Sequence, residues 1–334
     1  MLAGVFGALE PSPVLPIPSL AHRLGVGFIY AKVETGRPLG SFKSLGGTFA
    51  AVAAIARSRL SLPAAQATAS APHLVCASDG NHGLAVATGA RYAGANCTVV
   101  LHSGVPEVRT RRIRDAGAVV RIAGGTYDDA VDLARELAAK NGYLLIPDTS
   151  LDPVDPVVAD VMAGYAVISD ELRRQFSQDR IATPTHVFVQ AGVGGLAAAI
   201  TEGLRGWLSA PARIIIVEPD QAPCVALAMA AGRPVRAAGN LETSADMLSC
   251  GEASAPALKT LREYGVTCMT VSEVELARSV RELEEACGVE TTSSGAAGLA
   301  ALAAAAGDSL RRQELDLTGD SRILLLVTEA RPTP

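Results

Sequence analysis

Short apolar runs alternate with longer stretches whose apolar residues return every three or four positions, and the alternation is sustained over most of the chain. Runs at 74–77, 97–101, 119–122, 143–146, 186–190, 214–218, 268–271 and 323–327 read as buried strands. Stretches at 48–56, 83–92, 107–115, 127–139, 157–175, 196–207, 272–287 and 295–306 read as helices. Strand followed by helix, repeated in this way, predicts an α/β chain of doubly wound parallel sheets. Asp152-Pro153-Val154-Asp155-Pro156 is the best interior boundary, because two prolines and two aspartates continue neither element. The segment 177–184 reads as a second linker. The expectation is a small α/β domain at 45–155 and a large one built from 1–44 and 156–334. Pockets favour the seam between such units.

Composition narrows the function classes. The chain has 334 residues, 49% of them hydrophobic, enough for a large core and more in keeping with two domains than one. Aromatics make up only 4%, which suits small-residue helices against parallel sheets better than a stacking platform. The net charge of −5 comes from interspersed acids and bases without a long basic stripe, so nucleic acid is not an expected partner. The six cysteines form no CxxC pair and no metal-ligand spacing with the five histidines; they read as reduced core residues, and no metal is expected. No run reaches the roughly 18 apolar residues a membrane helix needs, and residues 1–10 lack a basic leader. A cytoplasmic protein with no membrane partner is the default expectation.

Three segments carry candidate chemistry. In Gly40-Ser41-Phe42-Lys43-Ser44-Leu45-Gly46-Gly47 an amine stands between glycine-bearing turns at the start of an apolar helix. Packed beside Phe42 and Leu45, its ammonium would be partly desolvated, which lowers the pKa and makes Lys43 a nucleophile toward an aldehyde. That is the chemistry of a pyridoxal phosphate Schiff base. The loop Ser78-Asp79-Gly80-Asn81-His82-Gly83 leaves a buried strand and opens a helix, so its donors are expected to point outward, toward an anion such as an amino-acid carboxylate. Asn81 can donate to a phenolate oxygen. Asp79 either caps the helix or moves a proton. Asp148 ends another buried strand, where α/β sites gather their functional groups, or it is a turn residue.

The third segment, Gln190-Ala191-Gly192-Val193-Gly194-Gly195-Leu196, follows a strand and precedes a helix, so bare backbone amides can hold a phosphate there. Gly192-x-Gly194-x-x-Ala197 with Glu218 at the end of the next strand is also the spacing of a dinucleotide fingerprint and its ribose-binding acid. A nicotinamide-dependent oxidoreductase is therefore an alternative, although it leaves Lys43 and the Asp79 loop without a task.

Together these residues give the chain a resemblance to the fold-type II pyridoxal phosphate enzymes, the tryptophan synthase β family, and within it to the diaminopropionate ammonia-lyase branch. The match is carried by Lys32-x-Glu34 through Lys43, Leu45-Gly46-Gly47, Asp79-Gly80-Asn81-His82-Gly83, Tyr127-Asp128-Asp129, Asp148-Thr149, Gln190 to Gly194, Val217-Glu218-Pro219-Asp220, Cys250-Gly251-Glu252, Ser294 to Leu299 and Thr328-Glu329. The resemblance implies a cofactor, pyridoxal 5′-phosphate, bonded to Lys43 next to Phe42. By the same resemblance Gly192, Val193, Gly194, Gly195 and Leu196 hold its phosphate, Asn81 meets its phenolic oxygen, and Thr328 lies near its ring nitrogen. Lys43, Asp79 and Asp148 would be catalytic, the two acids acting on opposite stereoisomers, with Ser78, Asp79, Gly80 and His82 around a small amino-acid substrate. The implied reaction is α,β-elimination from 2,3-diaminopropionate or a related β-substituted amino acid, giving a 2-oxo acid such as pyruvate and ammonia, in a homodimer. β-Replacement and serine or threonine dehydration share the same residues; Asp79 favours the lyase, since replacement enzymes usually have a small hydroxyl residue there. The chain departs from the branch at Ser293 for a glutamate, Ala330-Arg331 for Gly-Asp, and Leu151 for an aromatic, which puts the difference at the substrate end.

Overall fold

Strand β10 (Arg322–Val327) lies in the middle of a six-stranded sheet, paired in parallel with β2 (Phe28–Val33) on one side and β7 (His186–Gln190) on the other. In this computed structural model, which describes residues 1–61, 71–78 and 80–331, β8 (Arg213–Pro219) and β9 (Thr267–Val271) extend the sheet in parallel beyond β7. The short β1 (Val14–Pro16) closes the other edge by antiparallel pairing with β2. A second sheet, of four parallel strands, has the order β5 (Val119–Ala123), β4 (Asn96–His102), β3 (His73–Ser78), β6 (Leu144–Leu145). The parallel α/β expectation holds except at the β1–β2 edge. Its eight strands are all present, while β1, β2 and the helices Leu2–Phe6, Pro18–Leu24, Cys224–Ala231, Ala255–Tyr264 and Ser309–Glu314 are additions.

Strand β2 escaped the periodicity because Lys32 interrupts its apolar run. Its side chain is fully buried, with the ammonium 2.7 Å from Glu171 and 2.8 Å from the Ser12 carbonyl. Arg37 completes the cluster by pairing with both Glu34 and Glu171. Two cations and two anions balance, which is what lets such groups stay charged away from water. The cluster ties the end of β2 to the helix Pro156–Gln178 and fixes the chain just upstream of Lys43.

That helix starts at Pro156, the last residue of the Asp152–Pro156 segment. Asp155 accepts from the amides of Val157 and Val158 at 2.9 and 3.1 Å, an N-cap that satisfies two of the donors a helix start leaves unpaired. The helix crosses the lysine helix, Lys43–Leu60, at Gly164 and Gly46. A Cβ added at Gly164 would stand 2.7 Å from the Gly46 Cα, and one added at Gly46 would stand 2.4 Å from the Tyr165 ring. The glycines after Lys43 are therefore helical contact points and not the turn the sequence suggested, and the helix begins five residues earlier than its apolar pattern. Among the described residues no helix is long and apolar enough to cross a membrane.

Candidate active site

Lys43 is the first residue of its helix, and the segment before it is clipped to the end of β10. The Phe42 amide donates to the Thr328 carbonyl at 3.1 Å, the Ala330 amide donates to the Gly40 carbonyl at 2.9 Å, and Ser41 pairs with Glu329 as an antiparallel bridge. On the other side, Arg112 donates to the carbonyl of Leu39 at 2.7 Å, a residue held at φ +67°. These contacts aim the lysine into a cleft that Tyr165, Gln190, Met247 and Cys250 also line.

The Lys43 ammonium donates to Asp148 Oδ2 at 2.8 Å, and Tyr127 donates its hydroxyl to Asp148 Oδ1 at 2.8 Å. Burial alone would raise the Asp148 carboxyl, but Lys43, His82 and the Tyr127 hydroxyl outweigh it and hold the group well below the usual carboxylate range. Lys43 departs from expectation. Burial pushes its ammonium down, yet the adjacent Asp148 carboxylate more than offsets this, and the amine is held above its ordinary value. Sequence alone could not place a carboxylate 105 residues away against it.

The opposite wall is the turn from β7 into the helix Gly195–Leu204. Gly192, Val193, Gly194, Gly195 and Leu196 all line the cleft with Phe42, Lys43, Asn81, Asp148 and Thr328. Gly194, the N-cap, has φ +99°, a left-handed conformation open to glycine and costly for a residue with a Cβ. The helix leads with amides that have no intrahelical acceptor, and its dipole favours an anion at that end. Thr328 is buried and accepts from the Gln190 amide at 3.2 Å.

The loop after β3 is arranged differently from the outward donors expected of it. Ser78 Oγ accepts from the amides of Gly80 and Gly83 at 2.9 and 2.8 Å, so these donors turn inward and close the start of the helix Asn81–Tyr92. His82 is buried and donates from Nε2 to the Ile146 carbonyl at 2.9 Å; burial lowers its pKa, against the pull of Asp148. Ser78, Gly80 and His82 thus stand behind the cleft wall, and Asn81 alone of the described loop residues lines it. Asp79 lies outside the described residues.

Several cleft residues had been quoted only within motifs, Gln190, Cys250 and Ser294 among them. Tyr127 is another. So is Glu329, directly after Thr328, which is buried and accepts from Asn81 Nδ2 at 2.5 Å and Thr292 Oγ1 at 2.6 Å. Nothing in local sequence separates Tyr165 and Met247 from core residues. The dinucleotide alternative fails on Glu218. Both of its carboxylate oxygens cap the helix Cys224–Ala231, at 2.7 Å from the Val225 amide and 2.8 Å from that of Ala226, so Glu218 is not free to bind a ribose.

Comparison with known proteins agrees with this geometry. A family model described as "Pyridoxal-phosphate dependent enzyme" matches residues 5–329. The diaminopropionate ammonia-lyase of Escherichia coli K12 is 31% identical over 343 residues, covering 96% of this chain and 84% of that protein. The L-serine dehydratase/L-threonine deaminase of Homo sapiens is 29% identical over 272 residues, 78% of this chain and 75% of that one. The crystal structure of the Escherichia coli lyase in complex with an aminoacrylate-PLP azomethine reaction intermediate superposes with a TM-score of 0.87 at 30% identity, covering 99% of this chain and 88% of that one. Its complex with D-serine gives 0.87 at 29% identity.

Proposed function

This chain belongs to the pyridoxal-phosphate dependent enzymes, and from that premise we propose that it is an ammonia-lyase removing the β-substituent from 2,3-diaminopropionate or a close analogue. The observation that carries the reading is the pairing of Lys43 and Asp148, 2.8 Å apart in a cleft whose far wall is the glycine turn 192–196. The residues fit the cofactor. An amine for its aldehyde, a helix N-terminus with left-handed Gly194 for its phosphate, and the buried Thr328 hydroxyl near the lysine segment all face one cleft. Held by Lys43, the cofactor would supply an electron-withdrawing group that acidifies the α C–H bond of an amino acid joined to it through its amine.

The remaining work falls to the protein. Amides of 192–196 hold the phosphate dianion. Asn81 donates to the phenolic oxygen, and Thr328 offers a hydroxyl rather than a carboxylate to the ring nitrogen. Asp148, kept ionised by its neighbours, is the base for the α proton of one enantiomer; Asp79 is assigned the other. Lys43, 2.8 Å from Asp148, would be a second proton carrier beside it.

The charge of the cleft supports a diamino substrate. Its described lining carries Asp148, whose carboxyl Lys43 holds low, and Glu329, whose carboxyl burial raises, against one cation, Lys43; two acids complement a substrate with an extra ammonium. Similarity to the human dehydratase supports a second reading, elimination of water from serine or threonine. The same assignment carries a division into domains at 45–155 and the remainder, a homodimer, and a cytoplasmic location.

The test is a spectrum followed by a substrate panel. The purified protein should show a visible imine band that borohydride abolishes and that Lys43→Ala lacks. Both enantiomers of diaminopropionate, serine and threonine are then compared by 2-oxo acid release. A missing imine band sinks the cofactor assignment; a band with faster turnover of serine or threonine than of diaminopropionate selects the dehydratase.

A further inference from the structure

We propose that Glu329 is a positioning residue that fixes which end of the Asn81 amide faces the cofactor, through the hydrogen bond the two make across the cleft. The proposal rests on the reading that Asn81 meets the cofactor's phenolic oxygen. The bond joins residues 248 positions apart at 2.5 Å. Asn81 opens the helix behind β3, while Glu329 follows β10, so the pair reaches from one sheet to the other.

The chemistry of the partners makes the bond directional. Burial raises the Glu329 carboxyl above its ordinary value, while the donors Thr292 and Asn81 and the charge of Arg109 oppose that rise. In its ionised form it accepts and cannot donate, whereas a carboxamide offers a donor at one end and an acceptor at the other. Facing Glu329, the Asn81 amide must present its NH2 group, since its carbonyl would set two acceptors against each other in a dry site. The nitrogen keeps a second N–H for another acceptor. Without Glu329, the amide is free to rotate and present its carbonyl to an oxygen that carries negative charge.

Glu329 is itself held in place. Thr292 donates to Oε1 at 2.6 Å, Thr291 donates to the Glu329 carbonyl at 2.5 Å, and Ser41 bridges its backbone. Thr292 is in turn the N-cap of the helix Ser293–Gly307, accepting from the Gly295 amide at 3.1 Å. The carboxylate is thus locked by groups from the lysine segment and the late helix, which is the arrangement a positioning residue requires. A surface glutamate capping a helix would need none of this.

The test uses the holoenzyme and two readouts, the visible absorption of the bound cofactor and its Kd by titration of the apoenzyme with pyridoxal phosphate, with thermal unfolding alongside. Glu329→Gln is expected to shift the absorption maximum and weaken cofactor binding by about tenfold, and to add nothing further in an Asn81→Ala background. The exchanged pair Asn81→Asp with Glu329→Gln restores a hydrogen bond with its direction reversed. It should recover wild-type unfolding but not the wild-type spectrum. A Glu329→Gln spectrum and Kd equal to wild type, an equal loss with and without Asn81, or recovery of the spectrum in the exchanged pair would each overturn the proposal. If Glu329→Gln does not fold, the exchanged pair still decides. Should wild-type protein itself lack an imine band dependent on Lys43, the cofactor reading fails and this proposal with it, whereas an intact band with an unchanged Glu329→Gln spectrum sinks this proposal alone.

Discussion

The ammonium of Lys43 and the carboxylate of Asp148 form a direct ion pair at 2.8 Å, although the two residues come from different sheets' connections and 105 positions apart. Asp148→Asn keeps the size of the side chain and removes its charge and basicity. Turnover of the enantiomer whose α proton Asp148 takes should fall by about 10²–10⁴-fold, while Asp79→Asn should slow the opposite enantiomer. Rates for D- and L-diaminopropionate with each variant check this, and equal losses on both substrates would reject the two-base assignment.

Tyr127 acts on the same carboxylate from its other oxygen. Its hydroxyl donates at 2.8 Å to Asp148 Oδ1 and stabilises the ionised form, which lowers the pKa. Tyr127→Phe removes that donor, so the Asp148 pKa should rise and the acid limb of kcat/KM should move to higher pH. The loss at neutral pH should be about ten- to hundredfold, the size of one hydrogen bond to a charged group. An unchanged acid limb would show that Tyr127 does not govern the base.

How far the sequence could be read follows from what is local. Strand and helix alternation, the lysine at a helix start and the glycine turn at 192–196 are all set by neighbours in the chain, and each lies where the sequence put it. What failed depends on pairs distant in sequence. Lys32 hid β2 because its burial depends on Glu171; Lys43 was expected to be a lowered amine because Asp148 is invisible from position 43; and Glu218 passed for a ribose acid because the helix it caps was not foreseen. Glu329 and Tyr127 stood in quoted motifs, but their partners, Asn81 and Asp148, appear only in the fold.

The contact of Gly46 with Gly164 predicts a stability effect away from the chemistry. A Cβ at position 46 would lie 2.4 Å from the Tyr165 ring and 2.6 Å from the Val161 carbonyl, and the latter is backbone that cannot swing aside. Gly46→Ala should destabilise the protein by about 1–3 kcal/mol. Gly206→Ala, where an added Cβ meets nothing within 4 Å, is the control and should stay within about 0.5 kcal/mol. Urea denaturation of the two variants beside wild type separates them.

Glu218 predicts a pH dependence of stability. Burial pushes its carboxyl up to about 7 despite the Val225 and Ala226 amides and Cys224, which draw it down. Between the ordinary glutamate value of 4.5 and about 7, the folded chain holds a proton that the unfolded chain has released. The unfolding free energy therefore falls as pH rises through that window and levels off above it. Glu218→Gln, neutral throughout, removes this contribution while keeping one acceptor for the helix amides. Measured against wild type, the variant should gain about 1–3 kcal/mol of relative stability from pH 4.5 to pH 7.5. Other titrating groups cancel in the difference, so a gap that stays constant across the range would mean that Glu218 is ionised in the folded protein well below neutrality.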